Sequence, residues 1–524
     1  MPLYFGRYNP MALVIKVHPN DNVAISVHDI PAGTIIAPGI KTAAAIPQGH
    51  KVALADLKKG DDVIRYGVSI GKLLYDVPAG FHINEHSLEM PIAPSLDELP
   101  WGKSSPFAAA ESCSFSDRLP VTFDGYETDG SFFAGTRNIL AIMGAVQCAA
   151  GVINAAVARI KAELLPRYPN VDDVVALNHS YGCGVSIEAP GSEIPIRTLK
   201  NLLHNPNFGG EIMVVALGCE KLTVDMLLES CENNRENVIV LQELPGFAAM
   251  MDAITAMAER KLQKINNRQR SALPLEKLCI GLQCGGSDAF SGITANPAVG
   301  YACDLLVCAG ATVLFSEVTE VRDGVHFIAG RCTSEEVSQK LAAQMRWYDA
   351  YLERGGADTS ANPSPGNKAG GLSNIMEKTM GSIAKSGSAP IVGVLGPGER
   401  LCRESDFPKG LYFAATPASD FVCGPLQLAS GITLQVFTTG RGTPYGLAAA
   451  PVIKVSSRTV LKNLWNDLID IDAGSIAEGG ETISQVGERL FRMIVDTASG
   501  RHKPFSEKYR LYNDICIMDP APLT

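Results

Sequence analysis

Hydrophobic and polar positions fall into two regimes along the chain. Residues 14–90 read as short β-rich runs, among them VIKV, NVAISV, KVALA and VIRYG, separated by the turn-forming stretches PNDN, PAGT, PQGH and KKGDD. Helical periodicity is absent, so the pattern predicts a compact all-β domain over residues 1–92. Residues 93–120 are rich in Pro, Ser and Ala with no apolar period, which predicts an extended linker.

From residue 121 the pattern alternates. A helix-like segment covers 138–166. Strand candidates VVALN, IMVVAL, LCIGL, ATVLFSEV, PIVGVL, LYFAATP, ITLQVFTT and PVIKVSS are interleaved with helical periods. The clearest helix is 335–354, with Val337, Leu341, Met345, Tyr348 and Leu352 on one face. Thr333 and Glu336 form a capping-box pattern at its start, and Gly355-Gly356 stops it. Apolar strands alternating with helices imply a mostly parallel sheet covered on both faces. The fold class expected is thus multi-domain: all-β first, then α/β domains over 121–270 and 271–524.

Composition narrows the function classes. The 524 residues are 46% hydrophobic and 19% charged, with net charge −10 and an isoelectric point near 5.5. That field recruits neither nucleic acid nor an anionic membrane. An anionic substrate must be drawn in by a local cluster of cations. No basic segment followed by an apolar stretch opens the chain, and no run of about 18 apolar residues occurs. A cytoplasmic protein is expected. Thirteen cysteines, an odd number in a large chain, fit free thiols or metal ligands better than a disulfide framework.

Ligands of open parallel sheets bind beyond the carboxyl ends of the strands. Three cysteines fall there beside glycine: Cys183 in HSYGCG, Cys219 in LGCE and Cys284 in QCGGSD. Converging thiolates suit iron, although small buried thiols are also common in cores. After Cys284, Ser287, Asp288, Ser291, Thr294 and Asn296 offer hydroxyls, an amide and a carboxylate to a polyhydroxylated ligand, or cap a turn. Arg137 in GTRN and Arg441 in TTGRGTPYG are candidate carboxylate clamps. Glu317, Glu320, Arg322, Asp323 and His326 group together, either to hold a hard cation or to salt-bridge a helix start. Lys454, within the apolar run PVIKVSS, and His179, four residues before Cys183, are candidate bases. His18 and His50 are weaker metal candidates in the β region.

The long motifs LNHSYGCGVSI, NPNFGGEIMVVALGCEK, GLQCGGSDAFSGITANPAVGYACDLLV, ANPSPGNKAGGL and VFTTGRGTPYGLAAAPVIK resemble the altronate/galactarate dehydratase family, as do IKVHPNDNVAI and IPQGHKVAL in the β region. The resemblance runs over essentially the whole chain. RWYDAYL and ANPSPGNK are more similar to its galactarate-acting branch. It implies a β-clip (SAF-like) first domain, a middle α/β domain used for homodimerisation and a Rossmann-like C-terminal domain. It also implies loss of water from galactarate to give 5-dehydro-4-deoxy-D-glucarate, with iron as ferrous ion. An iron-sulfur cluster with an open iron, or another divalent cation in the iron site, are the alternatives. His18 and His50 fit the family pattern, while FHINEHSLEM departs from it.

On this reading Cys183, Cys219 and Cys284 share the iron, and Arg137, Arg322 and Arg441 hold the carboxylates of a sugar diacid. Lys454, His179 or Asp288 serves the proton transfers. The competing readings are dehydration of another aldarate or aldonate such as altronate, and a non-catalytic sugar-acid sensor. A dinucleotide-dependent oxidoreductase is disfavoured because no G-x-G-x-x-G opens a βαβ unit.

Overall fold

A computed structural model describes residues 9, 12–103, 119–128, 131–401 and 407–521. Residues 14–89 are all-β, as expected. A four-stranded antiparallel sheet takes the order β1 (Val14–Ile15), β2 (Val23–Ser26), β5 (Lys51–Ala53), β8 (His82–Ile83). The short pair β3 (Ile35–Ala37) and β4 (Ile40–Lys41), and the sheet β6 (Asp62–Arg65), β7 (Val68–Leu73), β9 (Leu88–Glu89), complete it. Most of the expected linker, residues 104–118, lies outside the described residues. Its first part is a strap laid on the C-terminal domain. Pro94 O accepts from Arg322 Nη1 at 2.9 Å, Leu96 O from Arg346 Nη2 at 2.8 Å, and Gly102 N donates to Cys332 O at 2.9 Å.

The middle region carries a parallel sheet in the order β12 (Asp173–Leu177), β11 (Ile139–Gly144), β13 (Val214–Ala216), β14 (Val238–Val240). The segment read as one helix over 138–166 is therefore strand β11 followed by helix Ala150–Glu163. All six residues of β11 are buried, and an unbroken apolar run has no period to separate strand from helix. An antiparallel pair, β10 (Thr122–Gly125) with β15 (Ser271–Pro274), joins the two ends of this region.

The C-terminal sheet has seven parallel strands in the order β18 (Ile391–Leu395), β19 (Leu411–Ala414), β17 (Thr312–Phe315), β16 (Cys279–Cys284), β20 (Leu434–Thr439), β21 (Val452–Ser456), β22 (Ile471–Asp472). Helices Ala295–Cys308 and Ile483–Ala498 cover one face, and Asp420–Ser430 packs against β16. Coverage on both faces explains why β16, β17 and β20 are buried at every position. Helix Glu335–Arg354 forms as its periodicity requires. Its cap is Ser334, which accepts from Val337 N, and not Thr333. None of the helices among the described residues is long and apolar enough to cross a membrane.

The β domain docks onto the C-terminal domain through buried charge. Lys51 Nζ donates to both Glu377 carboxylate oxygens, at 3.1 and 2.9 Å, and to Gly371 O at 2.7 Å. Arg65 pairs with the same carboxylate and donates to Ala289 O at 2.8 Å. Burial, then the neighbouring Arg65, pushes the Lys51 ammonium well below its usual range. Removing one partner of a buried ion set strands the others, at a cost of roughly 3–5 kcal/mol. Glu377→Gln is expected to lower the urea midpoint by a corresponding amount and to make the β domain the first segment released by limited proteolysis. Unchanged midpoint and cleavage order would refute this.

Candidate functional site

In the C-terminal sheet, connections from β16 run to one side and those from β20 to the other, so a crevice opens between their carboxyl ends. The two loops there are stitched together: Gly285 N donates to Thr438 O, and Gly440 N and Arg441 N to Gly286 O. Cys284 ends β16. Glu317 follows β17, and Glu320 sits in the short helix Thr319–Arg322. Their ligand atoms lie within 4.8 Å of one another, the one such set of three His, Cys, Asp or Glu groups among the described residues.

Two lysines from the segment after residue 374 complete the cluster. Lys378 Nζ is 2.8 Å from Glu320 Oε1, and Lys385 Nζ pairs closely with Glu317 and lies 3.7 Å from Glu320 Oε2. Glu320 Oε2 also accepts from the Cys284 thiol at 2.7 Å and from the Ser382 hydroxyl. Cys284 N donates to Glu317 Oε2 at 3.0 Å. All five side chains are buried. Burial and the neighbouring Glu320 push the Glu317 carboxyl up. Burial acts on Glu320 in the same sense, but the ammonium groups of Lys378 and Lys385 overrule it and hold that carboxyl low. Burial, then the two carboxylates, pushes the Cys284 thiol up, so it stays protonated. Asp420 nearby rises to about 6, chiefly through burial.

A small cavity of about 10 Å³, roughly the space of one water, adjoins the cluster, lined by Tyr66, Ser287, Asp288, Glu377, Lys378 and Ser382 among others. Tyr66 comes from the two-residue turn between β6 and β7, since Arg65 pairs with Val68. Both turn residues have positive φ, 60° at Tyr66 and 76° at Gly67. That conformation suits Gly or Asn, so a buried tyrosine there is held at some cost by its surroundings. Gly292 makes room for its hydroxyl, because a Cβ there would collide with it. Glu317 is likewise left-handed, φ 78°, and strained. In the β domain His50 Nδ1 and His82 Nε2 stand 2.9 Å apart, with His50 Nε2 3.4 Å from Ala369 O. Burial, then His50, lowers His82 to about 4.

Of the residues named from sequence, Cys284, Glu317 and Glu320 form the cluster, and Ser287 joins them, its Oγ 3.5 Å from Cys284 Sγ. Arg441 is exposed beside Gly286 and, among the described residues, has no side-chain ion pair or hydrogen bond. The others are committed elsewhere. Arg137 forks onto Glu507 at 2.6 and 2.7 Å and donates to two carbonyls, so it cannot clamp a substrate. Arg322 pairs with Asp349 at 2.7 Å and anchors the strap. Asp288 Oδ1 accepts from Phe290 N, Ser291 N, Ser291 Oγ and Ser457 Oγ, while Oδ2 faces Arg458 at 2.8 Å. It organises the turn and is no base. Thr294 donates to Phe290 O and Ser457 O; Asn296 donates to Gly381 O and accepts from Thr438.

Lys454 is buried beside Asp470, which lowers the charge penalty only in part, and burial brings its ammonium to about 8. It lies mid-strand in β21, short of the carboxyl end, and is not a base for the cluster. His179 is saturated: Nε2 donates to Gly144 O at 2.6 Å, and Nδ1 accepts from Tyr181 N at 3.2 Å. Cys183 and Cys219 follow β12 and β13 of the middle sheet, whereas Cys284 ends a strand of the other sheet. The three do not form one ligand set. His18 accepts from Asn20 N and packs on Gly67. No histidine belongs to the three-residue set. Sequence reasoning missed Lys378, Lys385, Ser382 and Tyr66. The seven-residue spacing of the two lysines, two helical turns, was the available signal.

Comparison with known proteins agrees with this three-part architecture. The altronate/galactarate dehydratase SAF domain matches residues 12–91. The second domain of D-galactarate dehydratase/altronate hydrolase matches 125–266, and the C-terminal D-galactarate/altronate dehydratase domain matches 275–522. Galactarate dehydratase (L-threo-forming) of Escherichia coli is 52% identical over 530 residues, covering 98% of both chains. Altronate dehydratase of Bacillus subtilis is 31% identical, covering 94% of this chain and 96% of its own. The β subunit of (2R)-sulfolactate sulfo-lyase of Chromohalobacter salexigens is 28% identical over 64% of this chain and 84% of its own. Fold and site thus define a lyase built from a β-clip domain and two α/β domains. The chain belongs to the D-galactarate/altronate dehydratase family, and it is a hydro-lyase.

Burial brings the His179 imidazole down to about 4 from its ordinary 6.5. The unfolded chain therefore takes up a proton that the folded chain refuses as pH falls from 6.5 to 4. Stability from this residue is full above 6.5 and declines by about 3 kcal/mol across that window. His179→Gln is expected to flatten the pH dependence of the denaturant midpoint between those limits by about one proton. An unaltered slope would refute the assignment of His179 as a buried neutral ring.

Proposed function

We propose that this chain removes water from galactarate to give 5-dehydro-4-deoxy-D-glucarate. The observation that carries it is the 52% identity, over 98% of both chains, to a protein named galactarate dehydratase, against 31–32% for the altronate dehydratases. The site supports the chemistry. A carbon acid α to a carboxylate needs a base, and cations to hold the enediolate that forms. Lys378, on the cavity wall, supplies a fixed ammonium for a substrate carboxylate. Glu317, the carboxyl that burial raises, takes the α-proton. The β carbon–oxygen bond then breaks, and the Tyr66 hydroxyl, buried and kept protonated, gives its proton to the departing hydroxyl. The enol ketonises by taking a proton at the adjacent carbon. The exposed Arg441, beside Gly286, pairs with the distal carboxylate.

Iron belongs to this reading too, as ferrous ion or in a cluster, with another divalent cation the alternative. Cys284, Glu317 and Glu320 lie close enough together to chelate, but their donor chemistry fits poorly. Each carboxylate is already matched by an ammonium group, and the thiol is protonated. The set is an ion-pair network, and no step is routed through a metal there.

The test is an anaerobic, iron-replete assay of α-keto-acid formation from galactarate, altronate and other aldarates and aldonates. Galactarate is expected to give a kcat/KM at least tenfold above altronate. Preference for altronate would sink the substrate assignment. Lys378→Met, with circular dichroism unchanged, is expected to lower kcat/KM by about 10²-fold or more, the usual loss when a group stabilising developing charge is removed. A loss below threefold would remove Lys378 from the mechanism.

A further inference from the structure

The middle sheet has a second convergence of chemistry that the cluster at Cys284 leaves unused. Its three neighbouring strands β12, β11 and β13 each end in a loop bearing an exposed free cysteine: Cys183, Cys148 and Cys219. Register ties the three strands together at this edge: Met143 pairs with Leu177, the last residue of β12, and with Val214, the first of β13, so β13 runs on past the end of β12, and Ala145 N donates to Val215 O at 3.0 Å. The loops touch one another around Gly182. Its O accepts from Lys221 N at 2.9 Å and Leu222 N at 3.2 Å, just past Cys219. Its other side presses on Ala145 O and Val146, just before Cys148, so closely that no Cβ fits, and its φ of 110° favours glycine. His179, through Gly144 O and Tyr181 N, locks the Cys183 loop to the end of β11.

We infer that Cys148, Cys183 and Cys219 ligate a four-iron, four-sulfur cluster at this edge of the middle domain. All three thiols are exposed and open to a metal entering from solvent, whereas Cys279, Cys284 and Cys303 are buried. Cys148 lies in the turn that opens helix Ala150–Glu163, whose N-terminus favours negative charge. Gln242 Nε2 donates to Cys219 Sγ at 3.4 Å, the kind of contact that tunes a thiolate ligand. The three sulfurs do not all lie within 4.8 Å of one another. One tetrahedral ion, with metal–sulfur bonds of about 2.3 Å, needs them closer. A cubane seats each thiolate on a different iron, spaces them more widely, and leaves its fourth iron open to an oxygen ligand. Binding releases one proton per thiol, and iron and sulfide come from outside the chain.

The inference stands on the cysteines alone, so its test is read without substrate. The full-length chain is reconstituted anaerobically with ferrous iron and sulfide. About four irons and four acid-labile sulfides per chain are expected, with the broad visible absorption and the Mössbauer or EPR signature of a cubane. Cys148→Ser, Cys183→Ser and Cys219→Ser should each lower bound sulfide at least fivefold. Cys284→Ser and Cys231→Ser, the latter exposed but not at a strand end, should retain it. Should a serine variant fold poorly, alkylation of the unaltered protein decides: peptide mapping should show these three thiols protected in the loaded chain and Cys231 modified. Absence of bound sulfide in the unaltered chain would overturn the assignment. So would retention in the triple variant, loss in Cys284→Ser, or equal alkylation of the three thiols with and without the cluster.

Discussion

A single buried carboxylate fixes the relation between the first domain and the last. Glu377 begins a helix of the C-terminal domain, yet its two partners, Lys51 and Arg65, come from β5 and β6 of the β domain. None of the three can be solvated where it stands, so each requires the others. Directional bonds to Gly371 O and Ala289 O then set orientation as well as distance. Tyr66 follows Arg65 in the chain, so the interaction that docks the domain also delivers the tyrosine into the cavity. Stability of the interface and completeness of the site are one requirement.

The same logic of paired burial governs the strand ends of the large sheet. Two carboxylates, Glu317 and Glu320, would repel strongly in a dry setting. Two ammonium groups offset them, and the competition leaves one carboxyl raised and the other lowered. Environments that drive like groups apart in acidity assign acid and base roles. The left-handed backbone at Glu317 is tolerated because Lys385, Cys284 N and Thr416 hold its carboxylate and amide. Local strain is thereby tied to the charge network.

Architecture was legible in the sequence because burial on one or both faces imprints a period, and most strands lie where the apolar runs fall. The exception at Ile139–Gly144 shows the limit: a fully buried strand has no period. The sites were legible only in part. Motifs mark loops at strand ends but do not say which sheet owns the strand. Cys183 and Cys284 look equivalent in sequence and belong to different sheets. Cys148 lacks a flanking glycine and so carries no local signal. Arg137, Asp288 and His179 are residue types that catalysis uses, and in this chain they satisfy backbone and buried charge. Whether a polar residue in a strand-end loop is free to act depends on partners hundreds of residues away, such as Glu507 for Arg137.

The strap at residues 94–103 does not run loose between domains. Arg322, Arg346, Gly330 and Cys332 pin it along the C-terminal domain. A pinned tether that returns the β domain to one face acts as a concentration device. It converts docking from a two-body encounter into an intramolecular one, at an effective molarity set by the short free chain that remains. The ion set at Glu377 then needs only modest intrinsic affinity to stay closed.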